Sequence, residues 1–265
     1  MAESPKVTVI IPHYEMQQTL PAAVKSVLHQ EYNNIELIVA DDGSEESVTD
    51  TLAPFADNLT LLELPHNGKP TAVNEALGQA GGTYITILDA DDQLPPNSIS
   101  TRVKAVAAED VDLAVGSFDV YYKGQHQSTR SMGQFQAYAN QQIIRRLLTD
   151  LIAPFHQNAM LFSRSLAERV GRMDPLMLRS QDKDFAVRLL HHSSNTAIVD
   201  ETVYHYHRYD RPFSRRLSNR LAGMYYKLQV IDRHTSGWQR VHYWGQNIAI
   251  EMGKFVHDIF GIYKK

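Results

Sequence analysis

Two clusters of aspartate carry the chemistry in this chain. Asp41-Asp42 and Asp89-Ala90-Asp91-Asp92 each follow directly on a run of apolar, largely β-branched residues. Carboxylates crowded at the ends of neighbouring strands repel one another unless a cation joins them. Hard oxygen ligands without cysteine suit Mg²⁺ or Mn²⁺, which keep waters and share phosphate oxygens. Together the two clusters read as a metal–diphosphate site. Alone, Asp89-Ala90-Asp91 fits a turn with acidic caps equally well; the second acidic strand end is what favours a cation.

The elements that must position these acids follow from periodicity. Apolar runs at 7–11, 35–40, 59–64 and 84–88 predict strands. Leu20, Val24, Val27 and Leu28, with Thr19 as the cap, predict a helix, as do Ala72, Val73, Ala76 and Leu77, closed by Gly81-Gly82. Strands and helices alternating at this spacing predict βαβ units and a mainly parallel sheet. Right-handed crossovers then bring the acidic loops to one sheet edge, where such folds bind ligands. Further on, 113–118, 158–160 and 196–199 read as strands, and 141–151 and 185–190 as helices. From about Leu217 the pattern is helical, with an apolar stripe of Trp244, Ile248, Met252, Phe255 and Ile259.

The whole motif set resembles the family 2 glycosyltransferases of the GT-A fold. It comprises Ile10-Ile11-Pro12-His13-Tyr14, Asp41-Asp42-Gly43-Ser44, Asn67-Gly68-Lys69 with Asn74, and Asp89-Ala90-Asp91-Asp92. It continues more loosely through His156-Gln157-Asn158-Ala159-Met160, Gly171-Arg172-Met173-Asp174 and Ser180-Gln181-Asp182-Lys183-Asp184-Phe185 with Arg188. The likeness covers residues 6–215. It implies an α/β GT-A fold, with a Rossmann-like, mainly parallel sheet, flanking helices and a helical C-terminal extension. The implied layout is a nucleotide-sugar half (1–115), an acceptor and catalytic-base half (116–215) and a basic, aromatic C-terminal segment (216–265).

The resemblance also implies roles. Asp42 would accept from the uracil N3–H, with Pro12 and Tyr14 lining that pocket. Asp89 would sit against the ribose and the metal waters, Asp91 would ligate Mn²⁺ or Mg²⁺, and Lys69 would lie near the nucleotide. Asp182 would be the general base. Here the chain departs from the family's Glu-Asp pair, because Gln181 removes a charge beside the base and makes acceptor preference harder to infer. For Tyr204-His205-Tyr206-His207-Arg208, followed by Ser214-Arg215-Arg216, the resemblance implies closure over the diphosphate. His207 would complete the metal shell and Arg208 would neutralise phosphate. The same alternation of Tyr and His fits a surface strand. His156 reads either as a residue near the acceptor pocket or as a satisfied core histidine.

The implied activity is metal-dependent, inverting transfer from a nucleotide-diphosphate sugar, a UDP-sugar foremost, to a saccharide, lipid-linked or protein acceptor. Surface polysaccharide, glycolipid or glycoprotein glycan synthesis is the implied setting. The alternative is a catalytically silent nucleotide-binding or scaffold module, against which the joint presence of Asp42, Asp91 and Asp182 argues. Nucleotidyl transfer and dinucleotide-dependent oxidoreduction are disfavoured, since the loop after the first strand has no glycine and no lysine or arginine.

Composition sets outer limits. The 265 residues carry 26 basic and 30 acidic side chains, and no cysteine, which excludes disulfides, thiolate metal sites and thiol catalysis. No apolar run approaches the ~20 residues of a spanning helix, and the start lacks a basic leader, so a cytoplasmic location is expected. The balance is uneven: residues 201–265 hold 11 basic and 5 acidic residues and both tryptophans. That segment predicts either a solvated helical face or an anionic contact, including a peripheral membrane surface. Its stripe predicts packing on the core or on a second copy, as in a homodimer. Nucleic acid binding has no motif to support it.

Overall fold

The computed structural model describes residues 4–150, 154–209 and 217–260. Leu151, Ser214, Arg215, Arg216, Lys264 and Lys265 lie outside the described residues, as do the side chains of Lys254, Phe255 and Ile259. Strand β1 (Val7–His13) is buried along its whole length. Its odd and even residues feed two separate cores: Val7, Val9 and Ile11 on one face of the sheet, Ile10 on the other. The same split holds in β2 (Ile35–Asp41), where Leu37 and Val39 oppose Ile38 and Ala40. A strand covered on both faces needs apolar residues at every position, which is why these runs do not alternate with polar ones.

Among the described residues eight strands form one sheet. Strands β3 (Thr60–Glu63), β2, β1 and β4 (Tyr84–Ile87) are parallel in that order. Strand β7 (Met160–Ser163) runs antiparallel between β4 and β5 (Leu113–Tyr122). Strand β6 (Gln125–Arg130) pairs antiparallel with the outer part of β5, and β8 (Ala197–Arg208) pairs with β5 in parallel. The sheet is therefore mainly parallel, as expected, and β7 joins its two halves.

Helices cover both faces. On one side α1 (Leu20–Leu28) buries Leu20, Ala23, Val24 and Val27, and α4 (Ser98–Glu109) buries Ile99, Val103 and Val106. On the other lie α3 (Lys69–Gln79), α5 (Asn140–Thr149), α6 (Arg164–Val170), α7 (Gln181–His192) and α8 (Leu217–His234); α2 (Thr49–Leu52), a single turn after β2, packs on the α1 side through Leu52. Arg102 on α4 is fully buried with no carboxylate beside it. It donates to Thr86 Oγ1 (2.8 Å), the Met160 carbonyl (2.7 Å), and the carbonyl and Oγ of Ser98 (3.2 and 2.8 Å). It thus braces α4 against β4 and β7, and burial lowers its guanidinium to about 9.

Several expectations need correction. Thr19 does not cap α1; its hydroxyl donates to the Met16 carbonyl (3.3 Å). Strand β8 extends well past residue 199, and the hairpin to β6 had no apolar signal, because β6 is a polar edge strand. The C-terminal pattern is two helices: it breaks at Thr235-Ser236-Gly237, with Gly237 at φ +54°, before α9 (Gly237–Phe260). Helix α9 meets the core through Tyr243 and Asn247, whose amide donates to the Leu148 carbonyl at 3.0 Å. The expected stripe is turned outward: Trp244, Ile248 and Met252 are exposed, and so is Trp238. No described helix is long and apolar enough to cross a membrane.

Candidate active site

The acids reach one sheet edge through interlocked loops. At the end of β2, Asp41 accepts from His13 Nδ1 (2.7 Å) and from the Ser44 hydroxyl (2.6 Å) and backbone N–H (3.1 Å). The Met16 N–H donates to His13 Nε2 at 3.1 Å, which leaves Nδ1 as the donor to Asp41. The loops after β1 and β2 are thus tied together. Asp42, 3% exposed, accepts from the Asn67 N–H (2.9 Å) and the Gly68 N–H (2.9 and 3.0 Å). This fixes the start of α3 against β2. The tie needs glycine at Gly43, where φ is +72° and a Cβ would come within 2.6 Å of the His66 nitrogen.

Lys69 opens α3 and reaches Asp89 at the end of β4 in an ion pair. Burial disfavours both charges, but each holds the other ionised: Lys69 is raised, chiefly by Asp89, and Asp89 is lowered by Lys69, with help from Asn158 and His156. Asp89, Asp91 and Asp92 bring carboxylate oxygens within 4.8 Å of one another. Asp92 is buried and pushed up to about 8, first by desolvation and then by the charges of Asp89 and Asp91. It accepts from the buried Tyr204 hydroxyl and from the His207 backbone N–H (2.7 Å). Tyr204 is itself raised well above its usual value by burial and by Asp92 and Asp89, which keeps it a donor. Three oxygen donors this close, with one carboxyl disfavoured by its neighbours' charge, fit a hard divalent cation.

One cavity of about 340 Å³ joins the expected nucleotide residues: Pro12, Tyr14, Asp42, Lys69, Asp89 and Asp91 line it. It also takes in a residue the sequence reading passed over. His66 stacks on Tyr14, with ring centroids 4.3 Å apart and planes 27° from parallel, and its Nδ1 lies 2.9 Å from the Asp42 carbonyl oxygen. The pair offers a flat platform of the kind that a planar base stacks on.

Asp182 sits half-buried in the first turn of α7. Its charge acts on both Lys69 and His156, which places it beside the acidic cluster. His156 is lowered by burial, against the opposing fields of Asp182 and Asp89. His207 is half-buried. Its backbone reaches Asp92, its ring stacks on Tyr121 (5.1 Å, 13°), and it falls outside the three-carboxylate group. Burial lowers it, against the pull of Asp91. Arg208 ends β8 and is exposed. The role of Tyr204 had a faint signal, since a tyrosine buried on a strand must find a partner for its hydroxyl.

The sequence model of the family described as Glycosyl transferase family 2 matches residues 8–171. A UDP-Glc:alpha-D-GlcNAc-diphosphoundecaprenol beta-1,3-glucosyltransferase, WfgD of Escherichia coli, is 31% identical over 116 residues, which is 43% of this chain and 46% of that protein. The chain spans less than half the length of the first curated relatives it matches. Among solved structures, S. aureus TarS 1–349 in complex with UDP-GlcNAc superposes with a TM-score of 0.70 at 14% identity, covering 94% of this chain and 73% of that one. The mannosyltransferase PcManGT from Pyrobaculum calidifontis, in complex with GDP-Man and Mn²⁺, gives 0.66 at 19% identity over 94% of this chain and 74% of its own. Likeness at these identities carries the fold, and the family match covers more than half of the sequence: the chain belongs to glycosyl transferase family 2.

Proposed function

We propose that this enzyme moves a sugar from a UDP-sugar to an acceptor hydroxyl with inversion at the anomeric carbon. The observation that carries this reading is that the Tyr14–His66 platform, Asp42 and the Asp89–Asp91 pair line a single cavity, with the charge of Asp182 acting on Lys69 of its lining. Tyr14, His66 and Pro12 hold the base, and the Asp42 edge reads it. Asp89 and Asp91, with Asp92 behind them, would hold Mn²⁺ or Mg²⁺. That ion, when bound, neutralises charge growing on the leaving diphosphate. His207 and Arg208, beside this cluster at the end of β8, are the further groups for the metal shell and the phosphates.

Asp182 accepts the proton of the attacking hydroxyl, which is otherwise a poor nucleophile near neutral pH. Attack from the face opposite the diphosphate requires no covalent enzyme intermediate. The undecaprenol-linked saccharides in the names of relatives such as WfgD support an acceptor of that class. The test is the anomeric configuration of the first product, read by NMR, together with Asp182→Asn. Inverted product from the wild type, and transfer slowed by on the order of 10²–10⁴ with UDP binding intact in the variant, support the assignment. Retained configuration, or an unslowed variant, contradicts it.

A further inference from the structure

A second cavity, of about 560 Å³, opens where three helices meet: the last turns of α7 and α8 and the start of α9. It shares no lining residue with the cavity of Asp42 and Lys69. Arg188, His191 and His192 line it from α7, Arg233 and His234 from α8, and Ser236 from the turn before α9. Among the described residues no aspartate or glutamate lines it. Asp184 is 2% exposed and is already held by Arg188, His234 and Arg233, and Asp174 meets Arg233 Nη2 at 2.6 Å. The crowding of cationic groups acts on His191, which is lowered by burial and then by His234 and His192. A cation in a last turn complements the dipole of its own helix. Capping does not require two helix ends to bring such groups onto one open space.

The donors fit an anion. His191 Nδ1 accepts from the Gln141 amide at 3.4 Å, so its Nε2 carries the proton, and that N–H has no partner among the described residues. His192 Nδ1 donates to the Arg188 carbonyl (2.9 Å), and its Nε2 becomes a second donor on protonation. Arg188 keeps one enclosed nitrogen, Nη2, without a partner. The Ser236 carbonyl accepts from the Arg240 N–H (3.4 Å), which makes Ser236 the entry to α9; the N–H groups of the first turn have no helical acceptor. A divalent cation is the wrong occupant. Among the described residues only Asp89, Asp91 and Asp92 bring three ligand atoms together; these imidazoles and Asp184 do not. A phosphate offers several acceptor oxygens and up to two charges, which suits guanidinium, imidazole and hydroxyl groups arriving from different elements. We propose that this cavity binds a phosphate group, free or as the headgroup of an amphiphile, and that the bound anion ties the ends of α7 and α8 to the start of α9. Trp238, next to the lining residue Gln239, is 87% exposed and offers apolar surface to the chain of an amphiphile. The site gives a definite place to the anionic contact expected of the basic, aromatic C-terminal segment.

The test uses inorganic phosphate and dihexanoyl phosphatidic acid as probes on the full chain at matched ionic strength. Binding is read by calorimetry and by melting temperature. Expected is saturable binding that raises the melting temperature of the wild type. The double variant His191→Gln/His192→Gln changes two exposed side chains at the end of α7. It should weaken binding about tenfold or more, the effect of losing one charge-assisted hydrogen bond. His191→Glu/His192→Glu should abolish binding, while Asp91→Ala should leave it unchanged, because the acidic cluster is not the site. Calorimetry well below the melting range keeps the comparison valid for a less stable variant. Tighter binding of the phosphatidic acid, with a blue shift of tryptophan emission, assigns the headgroup source; equal affinity for the two probes assigns free phosphate. Absence of saturable binding of either probe by the wild type overturns the proposal. So does undiminished affinity in the histidine variants, or loss of binding in Asp91→Ala.

Discussion

Replacing Asp184 with asparagine tests how α7, which carries the proposed base Asp182, is held in place. Asp184 lies two residues after Asp182 on α7 and is 2% exposed. Its carboxylate meets Arg188 Nε at 2.9 Å and His234 Nε2 at 3.0 Å, with Arg233 Nη1 at 3.7 Å, so it clamps α7 to α8. Asparagine keeps the shape and removes the charge. Breaking a buried pair costs about 3–5 kcal/mol. Because Arg188 and His234 keep some access to water (19% and 10% of their side chains), the lower end applies, about 3 kcal/mol. For a chain of this size that is a fall in Tm of roughly 6–12 °C. Burial alone would raise Asp184, but the His234 hydrogen bond and the Arg188 charge outweigh it and hold it below the usual carboxylate range. Its stabilisation is therefore fully present above about pH 4 and is lost as pH falls through the lower folded-state value. Melting followed from pH 7 to pH 3 should show the gap between wild type and variant close in acid. UDP binding should survive, since the proposed nucleotide residues lie on other elements, while turnover falls as α7 loosens. A variant that melts with the wild type, or a gap that stays constant down to pH 3, refutes the clamp.

Other perturbations separate the remaining parts of the account. Removing the platform with His66→Ala or Tyr14→Ala should weaken UDP binding by about 1 kcal/mol each, measured by calorimetry, with the melting temperature of the free enzyme little changed. Arg102→Leu should lower stability by several kcal/mol, on the order of 3, because Thr86 Oγ1 and Ser98 Oγ lose their buried donor and the Met160 carbonyl keeps only the Thr86 hydroxyl. Urea unfolding with an unchanged m-value would show that loss; an unchanged midpoint would mean that α4 does not depend on the arginine.

The first half of the fold was legible in the sequence because its signals are local. Strands buried on both faces show as apolar runs, and the acids follow each run directly, so Asp42, Asp89 and Asp91 could be placed from spacing and family resemblance together. The second half resisted for physical reasons. Strand β6 is a polar edge strand with nothing to bury. Strand β8 mixes Tyr and His, since one face closes on Asp92 through Tyr204 while the other faces Tyr121 and Asp119. The outward turn of the α9 stripe was hidden because Tyr243 and Asn247, a face round from it, make the core contact. His66 precedes the Asn67-Gly68 motif without belonging to it, and only the fold of the loop brings it over Tyr14.

The central claim is a nucleotide site completed by a divalent cation held on Asp89 and Asp91. It is tested most directly by the melting temperature with UDP in the presence of Mn²⁺ or EDTA, for the wild type and for Asp91→Ala. At about 100 times its dissociation constant UDP should stabilise the protein by roughly 2.7 kcal/mol, a rise of roughly 5–11 °C. The account predicts that this rise requires Mn²⁺ in the wild type and disappears in Asp91→Ala. A rise of equal size in EDTA, or one that survives in Asp91→Ala, would contradict it.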